Sequence, residues 1–152
     1  MEQDFSEKLK DFFEQLGQNR KMVLATSLDD IVSVRMMSII IQNGRFYFQT
    51  DKTFRKYKQI SGNGNVALCI DNVQIEGICR EIGIPTNHID FCQKFEAAFQ
   101  SSFNAYTKLR NERLFEVEPR FIQRWIYEDG KPYVERLNLK TNAYQKQAYI
   151  GE

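Results

Sequence analysis

The chain has 152 residues, 42% apolar and 27% charged, with a formal net charge of +1. That length suits a single domain with a sizeable core, and the near-neutral balance supplies no global field to attract nucleic acid or an anionic membrane. No apolar run approaches a bilayer-spanning length, and the acidic start Met1-Glu2-Gln3-Asp4 does not read as a secretory leader. A cytoplasmic protein is therefore expected, and Cys69, Cys79 and Cys92, odd in number and without Cys-x-x-Cys spacing, are expected as reduced, buried thiols with no disulfide framework or zinc site.

Phe5, Leu9, Phe12, Phe13 and Leu16 recur at helical spacing and predict an opening helix over about 4–17, with Asp4 and Glu7 as a capping box and Gly17 as its stop. Its apolar stripe is expected to cover a sheet or barrel face. Three strand-like runs follow, Lys21–Ser27, Ile31–Ile41 and Arg45–Thr50, with turns at Asp29-Asp30 and Asn43-Gly44, so the chain begins as an antiparallel meander. A helix over roughly Thr53–Ser61 ends in the turn-rich stretch Gly62-Asn63-Gly64-Asn65. Val66–Asp71 and Val73–Ile82 form the next hairpin, across Asp71-Asn72. Pro85-Thr86-Asn87 opens a helical region in two pieces to about Leu109, with Ile89, Cys92, Phe95, Phe99 and Phe103 on one face. Arg113–Val117, Arg120–Glu128 and Lys131–Leu139 are the last strands, with a turn at Asp129-Gly130. The tail, 141–152, is polar with weak signals. Six or more strands with a few helices predict a mainly β domain over 1–152, a small closed or split barrel with helical decoration. There is no Gly-rich dinucleotide loop or P-loop.

The charge pattern at 52–58 stands out. Lys52, Arg55, Lys56 and Lys58 crowd a helix N-terminus, where free N–H groups and the macrodipole are already positive. Asp51 or Thr53 is expected to cap that helix. Stacking cations at the positive pole gains nothing unless an anion binds there, and hydroxyls, free N–H groups and an Arg-Lys pair together suit a phosphate.

The run Arg35-Met36-Met37-Ser38 on one strand, Phe46-Tyr47-Phe48-Gln49-Thr50 on the next, and Arg55-Lys56 opening a helix resembles the pyridoxamine 5′-phosphate oxidase-like family of FMN-binding split barrels. Gln59-Ile60 with Asn63 and Val66, Asn72-Val73 with Gly77, and Val117-Glu118-Pro119 with Ile122 and Trp125 extend the resemblance over roughly Lys21 to Leu139. It implies a six-stranded Greek-key split barrel and a homodimer with FMN in two equivalent clefts at the subunit interface. It also implies that Arg55 and Lys56 hold the FMN phosphate with help from Arg35 and Thr50. The strand Arg35–Ser38 and Gln49 would run along the flavin ring, with Met36 and Met37 as its soft lining. Asn72 would lie near the ring, and Trp125 would approach it from the other subunit. The chemistry is consistent: a dianionic phosphate needs Arg, Lys and N–H donors, and a flat amphipathic ring needs apolar walls with a few polar contacts.

The residues alone leave blander roles open. Arg35 fits an exposed strand charge, Thr50 a turn-former, Met36 and Met37 core filler, and Trp125 a core or interface anchor. His88 and Cys92 are spaced i, i+4, but without further ligands no metal site is expected. The resembled oxidases of vitamin B6 carry an Arg-x-His substrate element near the C-terminus. Here that region reads Val134-Glu135-Arg136-Leu137-Asn138-Leu139 without histidine, which argues against B6 oxidation. No acid, base or nucleophile is identified. The expectation is an FMN-dependent oxidoreductase of a small substrate; the alternative is a non-catalytic flavin or haem carrier or sensor on the same fold.

Overall fold

Alternation gives each strand an inner and an outer face, and the inner faces are apolar. Met22 and Leu24 on β1 (Asn19–Leu28), Ile39 and Ile41 on β2 (Ile31–Gln42), and Phe46 and Phe48 on β3 (Arg45–Asp51) are buried in one core. The computed structural model describes residues 2–151. In it β4 (Asn65–Ile70), β5 (Val73–Gly83) and β6 (Glu112–Glu128) add Val66, Leu68, Ile75, Cys79, Phe115, Val117 and Ile122 to that core. The strands run in the order β3-β2-β1-β4-β5-β6, all antiparallel, and a β3–β6 pairing closes them into a six-stranded barrel. The meander β1–β3 followed by β4 beside β1 is the Greek-key order. Two residues at positive φ make the expected tight turns at Asp29-Asp30, Asn43-Gly44 and Asp129-Gly130.

Helices close both ends. α1 (Glu2–Leu16) precedes the start of β1 and buries Phe5, Phe12 and Leu16 in the core, with Leu9 and Phe13 packed at its margin. It begins earlier than expected, so Asp4 and Glu7 lie inside it and form no capping box. Gly17, at φ +90°, stops it and donates its N–H to the Phe13 carbonyl at 3.0 Å. α2 (Arg55–Gly62) joins β3 to β4 across the opposite mouth, where Asn63 at its C-cap bonds Ser27 near the end of β1.

Between β5 and β6 lie a 3₁₀ turn (Pro85–Asn87), α3 (Ile89–Ala98), one helical turn (Gln100–Ser102) and a π-helix (Phe103–Thr107). They cover part of the outer face: Phe91 and Phe95 pack on Ile40, Tyr47 and Leu114, flanked by Cys92, Phe99 and Phe103. Ile89, expected on that face, is 70% exposed; the buried stripe runs through Phe91 instead. The thiol expectation holds for Cys79, which burial pushes up to about 12, whereas Cys69 is exposed. No helix among the described residues is long and apolar enough to cross a membrane.

The two strands expected on either side of Pro119 are one 17-residue strand. Gly77 pairs with Pro119 and Glu76 with Phe121, so Arg120 is an extra residue opposite that step and a bulge absorbs the proline. Past the bulge β6 has left β3, stays paired with β5 as far as Arg124, and pairs on its other side with β7 (Lys131–Asn138), which pairs with β8 (Ala143–Ala148). β8 lies in the tail, 141–152, which in the sequence is polar with weak signals. It is an outer strand exposed along nearly all its length, so no apolar alternation marks it.

Gly77 makes the bulge possible, because a Cβ there would lie 2.6 Å from the Glu118 carbonyl oxygen and 2.9 Å from Val117. Gly77→Ala is expected to destabilise the fold by about 2 kcal/mol, lowering the thermal midpoint by about 4–8 °C in a melting experiment. Gly130→Ala, with open space at its Cβ, is expected to cost less, through its positive φ alone.

Candidate functional site

Where β3 ends, the backbone turns through Asp51–Phe54 into α2. Asp51 Oδ1 accepts from the Thr53 N–H at 2.8 Å and the Thr53 hydroxyl at 2.7 Å, and the Asp51 carbonyl accepts from Phe54 N–H at 3.1 Å. These contacts organise the turn but do not cap the helix. The N-cap is Phe54, and no side chain accepts from the first helical N–H groups. The expected cap by Asp51 or Thr53 is therefore absent, and the positive end of α2 has no side-chain acceptor. Arg55 stands exposed at this end, and Lys56 is half-buried with its Nζ 4.9 Å from the centre of the Phe54 ring.

Arg35 reaches the same mouth from inside the barrel. Its guanidinium donates to Thr26 Oγ1 at 2.8 Å, the Leu24 carbonyl at 3.2 Å and Gln59 Oε1 at 3.3 Å. Thr26 in turn donates to Gln59 Oε1 at 2.6 Å, and Gln59 Nε2 to Ser33 Oγ at 3.2 Å. Arg35 is thus no edge charge. Every acceptor around it is neutral, so it is oriented without being neutralised. Burial, then the Arg55 charge, lowers its pKa; burial, then Arg35, lowers that of Lys56, against the opposing pull of Glu112 and Asp51. Among the described residues none of Arg35, Arg55 and Lys56 forms an ion pair. Thr50 lies at the end of β3, 4% exposed, and its hydroxyl has no hydrogen-bond partner. An unmet buried hydroxyl costs about 1–3 kcal/mol. Three cations without an ion pair, uncapped N–H groups and an unpartnered hydroxyl therefore meet at one end of the barrel.

Protein-family models yield no match to this chain, and curated protein sequences yield none. Solved structures do match. General Stress Protein 26 from Bacillus anthracis str. Sterne is 22% identical with a TM-score of 0.61, over 88% of this chain and 97% of that one. PhzG from Burkholderia lata 383, solved with tetrahydrophenazine-1-carboxylic acid, is 14% identical with a TM-score of 0.63, over 95% and 91%. A pyridoxamine 5′-phosphate oxidase-related, FMN-binding protein from Nostoc punctiforme PCC 73102 is 15% identical with a TM-score of 0.58, over 86% and 87%. The chain shares their split-barrel fold.

The split barrel separates the other sequence-derived candidates. Alternation along β2 sends Arg35 and Met37 inward, where Met37 packs on the core, and Met36 and Ser38 outward, with Met36 60% exposed. Met36 and Met37 therefore do not line one surface. Gln49 is buried on the outer side of β3, where Thr107 at the end of the π-helix donates to its Oε1 at 3.0 Å. Asn72 and Trp125 hold each other: Asn72 Nδ2 donates to the Trp125 carbonyl at 2.6 Å, and Trp125 N–H to the Asn72 carbonyl at 3.4 Å. β6 begins beside Asp51 at Glu112 and reaches Trp125 thirteen residues later, about 40 Å of strand. Within one chain these two residues are at the far end from Arg55 and Lys56. His88 Nε2 lies 2.8 Å from the Ile82 carbonyl oxygen and Cys92 donates to the Pro85 carbonyl at 3.2 Å, so the two do not converge. Among the described residues no group of His, Cys, Asp and Glu is placed to hold a metal ion.

One residue of the site escaped the sequence. Glu112 is the cross-strand partner of Asp51 and is 6% exposed. Burial, then the Asp51 charge, pushes its carboxyl up to about 7. Nothing in Asn111-Glu112-Arg113 announces this; only the register between strands some sixty positions apart buries it. A carboxyl raised in the folded state favours folding when protonated. Its contribution is complete below the unfolded value near 4.5 and is lost as pH rises through about 7, a change on the order of 3 kcal/mol. Denaturant titrations of ligand-free protein at pH 4.5 and 7.5 are expected to show wild-type stability falling relative to Glu112→Gln by this amount.

Proposed function

We propose that the chain binds FMN through the cradle of Arg35, Thr50, Arg55, Lys56 and the start of α2, and that it acts as a cytoplasmic homodimeric oxidoreductase on a small substrate. The observation that carries this reading is the unpartnered Thr50 hydroxyl among three unpaired cations. A phosphate dianion supplies the acceptors and the negative charge that this group lacks. Arg35 is pre-oriented by Thr26 and Gln59, so little side-chain freedom is lost when an anion arrives. Support for a flavin phosphate in particular comes from the shared fold with a protein described as FMN-binding. Bound FMN supplies the electron and hydride chemistry, while the protein binds and orients it.

The homodimer is supported by the outer face of β2. Val32, Val34 and Met36 are 68%, 64% and 60% exposed on the part of β2 that is paired with β1 alone. Such an apolar stripe on a sheet face is a surface for association. In this reading Met36, Ser38 and Gln49 lie beside the flavin ring on the outer side of the sheet. Asn72 and Trp125, too far along β6 to reach their own cradle, meet the flavin of the other subunit.

A non-catalytic carrier is the second reading, favoured by one observation. In the strand where the resemblance leads one to expect a substrate element, Glu135 is tied to Arg124 at 2.5 Å and to the Tyr144 hydroxyl at 2.7 Å, and Arg136 donates to Gln123 at 3.0 Å. These side chains are committed to the sheet.

Purified protein is expected to show a flavin spectrum, and denaturation to release FMN; a colourless protein with no affinity for added FMN would sink the proposal. Arg55→Ala with Lys56→Ala is expected to weaken FMN at least about a hundredfold, since charged hydrogen bonds contribute about 1.5–3 kcal/mol each. The native mass is expected to be that of a dimer, which Val34→Glu splits while the far-ultraviolet circular dichroism stays unchanged. Reduction of bound flavin across a panel of nicotinamide donors separates enzyme from carrier.

A further inference from the structure

A buried carboxylate stands beside the cradle, with the Lys56 charge near it but no ion pair among the described residues. Glu112 lies directly across from Asp51, and like charges in that position repel. From β3 it meets Asp51 and neutral Gln49, and from α2 it meets Lys56; Thr107 of the π-helix reaches it only through Gln49. The other charges near it are turned elsewhere. Arg113 donates to the Arg110 carbonyl at 3.0 Å and the Glu112 carbonyl at 2.8 Å, with its Nε 3.9 Å from Glu81. Lys108 lies over the Phe103 ring, and Lys52 and Arg110 are exposed. Glu112 enters no ion pair among the described residues.

We propose that Glu112 is a proton-carrying member of the cradle: it stands in the phosphate-bound site as the neutral carboxylic acid, so binding a phosphate dianion is coupled to uptake of one proton. This rests on the phosphate reading of the cradle given above. In the ligand-free protein the Lys56 charge acts on both Asp51 and Glu112. A dianion reaching Lys56 adds two negative charges to that corner and raises the cost of keeping both carboxylates ionised. Asp51 is not the one to take up the proton, because the Thr53 N–H and hydroxyl hold its ionised form and lower its pKa. Glu112 is buried and already titrates near neutrality. As the acid it gains an O–H donor, which a phosphate oxygen accepts and a carboxylate cannot offer.

The test is calorimetric titration of the full chain with FMN at pH 8, where the phosphate is dianionic, in two buffers of different ionisation enthalpy. The difference in heat reads the protons taken up. Wild type is expected to take up close to one proton per FMN, and its affinity to fall about tenfold from pH 7 to pH 8.5. Glu112→Gln is expected to take up none and to bind with affinity independent of pH in that range. The wild-type measurement stands alone should the variant fold poorly. FMN binding to wild type without proton uptake would overturn the role of Glu112 and leave the cradle intact. No FMN binding at any pH would overturn the cradle reading and this inference with it.

Discussion

The pairing of β3 with β6 is the constraint on which the rest depends. It closes the barrel, stacks Phe48 on Phe115 with ring centres 5.2 Å apart and planes 7° from parallel, and sets Glu112 against Asp51. Without it the inner faces of both strands would be solvated, and α2 would have no rim to sit on. The same pairing presents Tyr47 and Leu114 outward as the floor on which Phe91 and Phe95 pack. One register of six paired positions thus holds the core, the helical cover and the anion site together.

That closure also lets the protein hold an arrangement that is unfavourable locally. Positive side chains gather at the positive end of a short helix, one of them reaching in from the barrel interior. The neutral acceptors Thr26, Gln59 and the Leu24 carbonyl fix Arg35 without offsetting its charge. A carboxylate in place of Gln59 would quiet the site and remove its attraction for an anion. The surrounding apolar core, with large side chains such as Phe46, Phe48 and Phe115 fully buried, supplies the stability against which such strain is tolerated.

Most of the barrel is written locally. Asn43-Gly44 and Asp129-Gly130 are turn signals whose conformation admits little else, and the period-two burial of β1 and β5 is visible in the residues. The cationic run at 52–58 was legible for the same reason, because a charge at the wrong pole of a helix needs no tertiary knowledge to notice. What was not legible depends on partners distant in sequence. Pro119 reads as a strand break until Gly77 is known to lie opposite. β8 has no apolar pattern because only β7 flanks it. Met36 and Met37 look equivalent in a motif, yet a pleated strand turns them to opposite sides. Glu112 carries no local mark at all.

The β3–β6 pairing covers the edge of β3, but β2 keeps an open edge over residues 31–39, and the extension of β6 past β3 creates another along β8. That edge is short and polar, and Lys146 on it is bonded to Glu128 and lies over the Tyr133 ring. A strand edge so equipped does not invite another chain to extend the sheet. The apolar stripe of β2 is different: Val32, Val34 and Met36 pair with β1 on one side only, because β3 meets β2 just at Ile40–Gln42. The two edges thus differ in kind: β8 offers free backbone without apolar side chains, whereas β2 sets exposed apolar side chains beside backbone that β3 does not reach. Contacts between copies are steered away from β8 and toward β2.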